Sequence, residues 1–260
     1  MSGQESSARV VPVNDLPERG LLSVNLAAPA IVLAIGAHPD DIEFGCGGTL
    51  AKWAASGAAI HHLVLTDGAK GTWDPHRDAA ALAAQRQEEQ RRAAALLGGG
   101  DVVFLGRTDG ELRNGVTEQR DVSLWIRRLR PDVILGHDPW RRYRLHPDHR
   151  HAGFIATDAI VAARDPHFFP ELGLAPHRPS ALLLWEADEP NHVEDVAGFS
   201  ETKIAALLAH TSQFESTMGI DDGTSTEVGA FARRVRTQLT EHGALVGLAE
   251  GESFHLIADL

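Results

Sequence analysis

Between residues 31 and 185 the chain repeats one pattern: a short apolar run that stops at glycine or polar residues, then a stretch rich in Ala, Glu, Gln and Arg. Few folds accept such a pattern. Runs at 31–36, 59–65, 101–105, 132–135 and 181–185 lack polar alternation, as strands covered on both faces do. The segments between them read as helices over 47–56, closed by Gly57, and over 77–97, ended by Gly98-Gly99-Gly100. Further helices are expected over 117–129, with Thr117 as cap and Pro131 behind it, and over 150–164. Helices at 201–210 and 227–241 and a short strand at 254–257 complete the pattern. Strand-helix alternation predicts the α/β class: a single-domain, Rossmann-like, doubly wound, mostly parallel sheet flanked by helices. Residues 1–28, rich in Ser, Pro, Asn, Glu and Arg without a period, are expected to form an extended, partly disordered N-terminal arm, leaving 29–260 as the domain.

Sheets of this kind bind ligands at the carboxyl ends of their strands, so the residues found there carry information. The first run, Ile31-Val-Leu-Ala-Ile-Gly36, stops at Ala37-His38-Pro39-Asp40-Asp41. A histidine and two carboxylates have no packing reason to end a buried strand. His38 and Asp41 stand three apart and can aim at one point, while Pro39 stiffens the turn between them. A second cluster, His146-Pro147-Asp148-His149, follows the fourth strand. One of its histidines completes a three-ligand set with an open position, the pattern of a catalytic zinc. His149, on the first turn of a helix beginning near Pro147, is the better placed, leaving His146 to act on a substrate with Asp148 hydrogen-bonded to it. Asp40 then lies where a general base must be, the competing reading being that the adjacent acids cap the following helix.

The net charge of −12 argues against nucleic acid or an anionic membrane as partner. With one cysteine, Cys46, a disulfide framework and a Cys-rich metal module are excluded. The first thirty residues lack the basic and apolar regions of a signal peptide, and no run approaches the roughly 18 apolar residues of a membrane span, so a cytoplasmic location is expected. The glycines from Gly45 to Gly48 lack the order of a dinucleotide fingerprint and suggest close backbone approach instead. His61 and His62, alternating along a strand, read as core or surface residues.

His38-Pro39-Asp40-Asp41 after a strand, with His146-Pro147-Asp148-His149 downstream, resembles the LmbE-like (PIG-L) family of zinc-dependent N-deacetylases. Similar to the family too are Leu65-Thr66-Asp67-Gly68, Arg86-Gln87-Glu88-Glu89 with the 93–98 stretch, Phe104-Leu105-Gly106, and Arg130-Pro131-Asp132-Val133 leading to His137-Asp138-Pro139-Trp140. The resemblance implies metal ligation by His38, Asp41 and His149, a general base at Asp40, and a substrate-facing His146 oriented by Asp148. It implies Zn2+ as cofactor, with another divalent cation such as Fe2+ as the substitute. It also implies hydrolysis of the N-acyl group of an amino sugar or glycoside, such as an N-acetylglucosaminyl conjugate, a small-molecule substrate, and leaves room for a homo-oligomer. Arg86 and Asp109 are candidate substrate contacts. Ala69 and Trp73 stand where relatives often carry glutamate and arginine, so sugar contacts do not transfer directly. His210, in Ala209-His210-Thr211-Ser212-Gln213, belongs to a stretch recurrent in the family without an assigned role. Two readings from other classes compete: a nucleotide-binding Rossmann-like module, and a catalytically silent protein that binds zinc and sugar.

Overall fold

The computed structural model describes residues 22–260. An eight-stranded sheet runs in the order β1-β7-β8-β6-β5-β2-β3-β4. Its strands are β1 (Ser23–Val24), β2 (Ile31–Gly36), β3 (Ala59–Thr66), β4 (Val102–Arg107), β5 (Val133–His137), β6 (Ala181–Trp185), β7 (His192–Asp195) and β8 (Gly251–Ala258). Five neighbouring pairs are parallel, and β8 alone is antiparallel to both of its neighbours. The helices are α1 (Asp41–Ala55), α2 (Ala79–Leu96), α3 (Val116–Leu129), α4 (Pro147–Arg164), α5 (Ser200–Leu208) and α6 (Ser225–Ala244). The α/β, mostly parallel doubly wound sheet expected from the alternation is thus the fold found.

The central strands are apolar throughout because both faces are covered. Val32 and Ala34 of β2, Val133 and Leu135 of β5, and Leu183 and Trp185 of β6 pack with Ile42, Leu50 and Trp53 of α1 and Leu97 beyond α2. Their neighbours Leu33, Ile35, Ile134, Leu182 and Leu184 pack with Val122 and Ile126 of α3 and Ile155, Ala156 and Ile160 of α4. β2 lies between β3 and β5, so the chain winds outward through β3 and β4 and then returns to the other side of β2. That reversal parts the loops after β2 and β5 and opens the crevice that holds the site.

Three expectations change. Helix α1 begins at Asp41, six residues before the sequence suggests, and is interrupted at Cys46, whose φ −150° and ψ 18° are not helical. The residue before α3 is Gly115; Thr117 lies inside the helix and caps nothing. Of the expected N-terminal arm, residues 1–21 lie outside the described residues, whereas Ser23–Val24 pairs with β7 as an edge strand. The edge is riveted by buried polar groups: Ser23 Oγ meets His192 Nδ1 at 2.7 Å, His192 Nε2 meets Glu194 Oε1 at 2.8 Å, and Lys52 pairs with Glu194. His192 is thus a fully buried strand residue. Among the described residues no helix is long and apolar enough to cross a membrane.

Candidate active site

A cleft of about 730 Å³ opens at the strand ends, lined among others by His38, Asp40, Asp41, Arg86, Asp109, His146 and His149. His38 stands on the loop after β2, Asp41 opens α1, and His149 lies in the first turn of α4. The donors converge. His38 Nδ1 is 3.3 Å from Asp41 Oδ2, His149 Nε2 is 3.3 Å from Asp41 Oδ1, and the two nitrogens are 3.3 Å apart. A tetrahedral ion with bonds of about 2.0–2.1 Å sets its ligand atoms about 3.3–3.4 Å apart, which is the spacing of the two imidazole nitrogens, and a different oxygen of Asp41 stands at that distance from each, so these residues suit a zinc-sized cation.

The surroundings fix the donors. His38 Nε2 faces Asp148 Oδ2 at 3.1 Å and Asp109 Oδ1 at 3.2 Å, which keeps a proton on Nε2 and turns Nδ1 toward the metal position. Burial opposes charge on His38, yet Asp109, Asp148 and Asp41 together hold its pKa well above the ordinary histidine range. A ring of carboxylates that stabilises positive charge at the donors' meeting point is what a divalent cation requires. Asp41 Oδ2 accepts from the His38 backbone N–H at 2.7 Å and faces His137 Nε2 at 3.1 Å. His137 Nδ1 receives Arg144 Nη1 at 3.0 Å and Trp185 Nε1 at 3.1 Å, so its proton sits on Nε2 and is donated to Asp41. Burial lowers the His137 pKa to about 4 against the pull of Asp41, and the ring is neutral. Burial likewise opposes charge on Asp41, but His149 and His137 hold its pKa well below the carboxylate range.

The Asp40 side chain does not cap α1. It makes no capping hydrogen bond, and the residue's φ of 99° lies in the left-handed region that non-glycine residues avoid. Strain of that kind costs about 1–3 kcal/mol and survives where neighbours over-determine it, often at functional sites. Burial pushes the Asp40 pKa up to about 6, with Arg86 pulling the other way.

One sequence-derived pairing needs correction. Asp148 does not orient His146: its Oδ2 accepts from Gly110 N at 2.6 Å and faces His38, and its Oδ1 accepts from Leu112 N at 3.1 Å. His146 is instead stacked on His149, centroids 4.6 Å apart at 17°, with an edge toward His38. Burial, with His38 and His149 beside it, lowers its pKa, so it is not held charged. Arg86 lines the cleft but is buried, donating from Nη1 to Gly68 O at 2.9 Å and from Nη2 to Pro39 O at 2.6 Å, 3.6 Å from Asp40 Oδ2, so it braces the loop that carries Asp40. Asp109 does border the cleft, but its Oδ2 accepts from Lys70 N at 2.9 Å, and burial is outweighed by His38 to leave its pKa at about 2.

Sequence reasoning missed His137 and the buried groups behind Asp40. For His137 the signal was present, since it ends β5 as His38 follows β2. The glycine-rich stretch lies within α1, and Gly48 N and Thr49 N donate to Glu252 at 2.9 and 2.7 Å, so those amides are already satisfied by a carboxylate rather than free for a phosphate.

Residues 33–160 match the PIG-L family, described as GlcNAc-PI de-N-acetylase. The chain is 39% identical over 186 residues to a diacetylchitobiose deacetylase of Thermococcus kodakarensis, covering 70% of each chain. It is 32% identical over 251 residues to a 1D-myo-inositol 2-acetamido-2-deoxy-alpha-D-glucopyranoside deacetylase of Streptomyces scabiei, covering 71% of this chain and 76% of that one. Among solved structures, an N,N'-diacetylchitobiose deacetylase from Pyrococcus horikoshii superposes with a TM-score of 0.80 at 31% identity, over 88% of this chain and 84% of that one. By similarity along most of its length and by its fold, this chain belongs to the PIG-L (LmbE-like) family.

Proposed function

We propose that the protein is a metal-dependent hydrolase that removes the N-acetyl group from an amino sugar, most simply an N-acetylglucosaminide. The observation that carries the reading is the convergence of His38 Nδ1 and His149 Nε2, 3.3 Å apart, on the carboxylate of Asp41, a different oxygen of which lies 3.3 Å from each nitrogen, with a second buried carboxylate, Asp40, next to them. The deacetylase activity named for the relatives, on diacetylchitobiose and on a glucosaminyl-inositol, supports the same chemistry. His38, Asp41 and His149 would hold the cation, for which two imidazoles and one carboxylate suit Zn2+, with Fe2+ as the substitute. When bound, the ion supplies Lewis acidity, polarising the acyl carbonyl and acidifying water.

The chain's own groups do the rest. Asp40 takes the proton of the attacking water; with its pKa at about 6 it is mostly ionised at neutral pH. His146, on the cleft side of His38, donates a hydrogen bond to the oxyanion that develops on the acyl carbon. Asp40 then returns the proton to the departing amine nitrogen as the C–N bond breaks. Asp109 and Asp148 keep the His38 ring oriented, and His137 does so for Asp41.

The test is acetate release from a panel of N-acetylglucosaminides with different aglycones, each assayed for one free amine formed per acetate. Turnover of at least one member is expected. A metal-loaded protein that hydrolyses none contradicts the reading and favours a silent binder.

A further inference from the structure

Behind Asp40 lies a polar network that the mechanism above leaves unused. Gln90 and Arg86 stand one turn apart on α2, and both hold the loop of the base: Arg86 on Pro39 O, Gln90 Oε1 on the Asp40 N–H at 3.0 Å. The amide of Gln90 must face one way for this, and Glu43 enforces it by accepting from Gln90 Nε2 at 2.7 Å. Glu43 is fully buried, with His210 Nε2 3.4 Å from its Oε2 and His62 Nδ1 3.7 Å from its Oε1. His210 is carried there by the turn after α5, which Glu89 of α2 pins through Thr211 Oγ1 at 2.8 Å, Ser212 N at 2.9 Å and Ser212 Oγ at 2.5 Å. A carboxylate and two imidazoles shut away from water cost more than apolar side chains filling the same space. What they gain here is direction: Glu43, with His210 in ion-pair range, fixes the Gln90 amide, and Gln90 fixes a backbone that a non-glycine residue would otherwise leave.

We propose that Gln90, steadied by Glu43 and His210, is a positioning residue that holds Asp40 in its left-handed conformation with its carboxylate in the cleft. The proposal rests on the reading of Asp40 as general base. It also gives a role to His210 and the stretch around it, which brace Glu43 from the far side.

The variant Gln90→Met keeps the volume and removes both hydrogen bonds. With a base displaced by about 1 Å, kcat for acetate release falls about 10²-fold while KM and bound metal stay unchanged. In an Asp40→Asn background the same substitution adds no further loss. The exchange Glu43→Gln with Gln90→Glu restores the chain of bonds with its donor reversed, and it recovers most of the lost kcat. Amide exchange of Asp40, measured without substrate, becomes faster in Gln90→Met. Wild-type kcat in Gln90→Met, an equal loss in the Asp40→Asn background, or a folded, metal-loaded exchange variant without recovery would each overturn the proposal. If Gln90→Met does not fold, the exchange variant decides alone. Because amide exchange needs no turnover, an inactive wild type defeats the functional reading, whereas an unchanged Asp40 amide defeats this one.

Discussion

Asp41 and His38 each do two jobs: Asp41 Oδ1 faces His149 while Oδ2 is held by His137, and His38 Nδ1 faces His149 while Nε2 is held by Asp148. Substitutions that spare the ligands should therefore still weaken the metal. His137→Phe should lower metal affinity by about 10- to 100-fold, as losses of such supporting hydrogen bonds do, measured by competition with a chelator. Asp148→Asn should act on the metal in the same way through His38; an effect confined to kcat would instead restore the pairing with His146. His146→Ala should keep its metal and lose about 10²- to 10³-fold in kcat, the scale of one oxyanion donor. Metal loss in that variant would make His146 a ligand. At this scale the convergence of His38, Asp41 and His149 was legible in their spacing, because they sit at turns where three-residue steps face one point. The partner of Asp148 could not, because Gly110 and Leu112 reach it from the loop after β4, which no local pattern foretells.

The helices and strands were legible wherever apolar runs or helix formers are long, as in β2, β5, β6, α2 and α4. Helix α1 starts early because its opening residues are chosen by tertiary contact rather than propensity: a Cβ on Gly45 would lie 2.4 to 2.7 Å from the Trp185 indole. Gly45→Ala should consequently destabilise the protein by about 1–3 kcal/mol, the usual cost of overpacking, although alanine is the better helix former. Denaturant melts check this, and an unchanged midpoint would contradict the packing. Strand β7 was hidden because His192-Val193-Glu194-Asp195 carries no apolar run; its polar groups are paired inside the sheet. Burial works against the Glu194 charge, but His192 and Lys52 hold its pKa below the ordinary value. A depressed carboxylate adds stability above its unfolded pKa of about 4.3 and loses it as pH falls through the folded value. Acidification below about pH 4.3 should thus lower the melting temperature of the wild type more steeply than that of Glu194→Gln.

For the whole molecule, the doubly wound order explains why residues more than a hundred positions apart form one centre. The reversal between β2 and β5 brings the loop at 37–41 and the start of α4 to the same crevice. The fold class was readable from alternation, but the walls of the cleft were not, since Lys203, Gln238 and Glu252 reach it from distant parts of the chain. Those walls will set which glycoside fits, and an acidic chain of net charge −12 suits a neutral or cationic sugar better than a polyanion. The most direct measurement is a titration of chelator-treated protein with Zn2+, following acetate release from an N-acetylglucosaminide in the wild type, Asp40→Asn and Asp41→Ala. The wild type should gain activity up to one equivalent of metal, Asp40→Asn should bind that equivalent and release no acetate, and Asp41→Ala should bind none. Acetate release that survives chelation, or that proceeds at the wild-type rate in Asp40→Asn, would contradict the account.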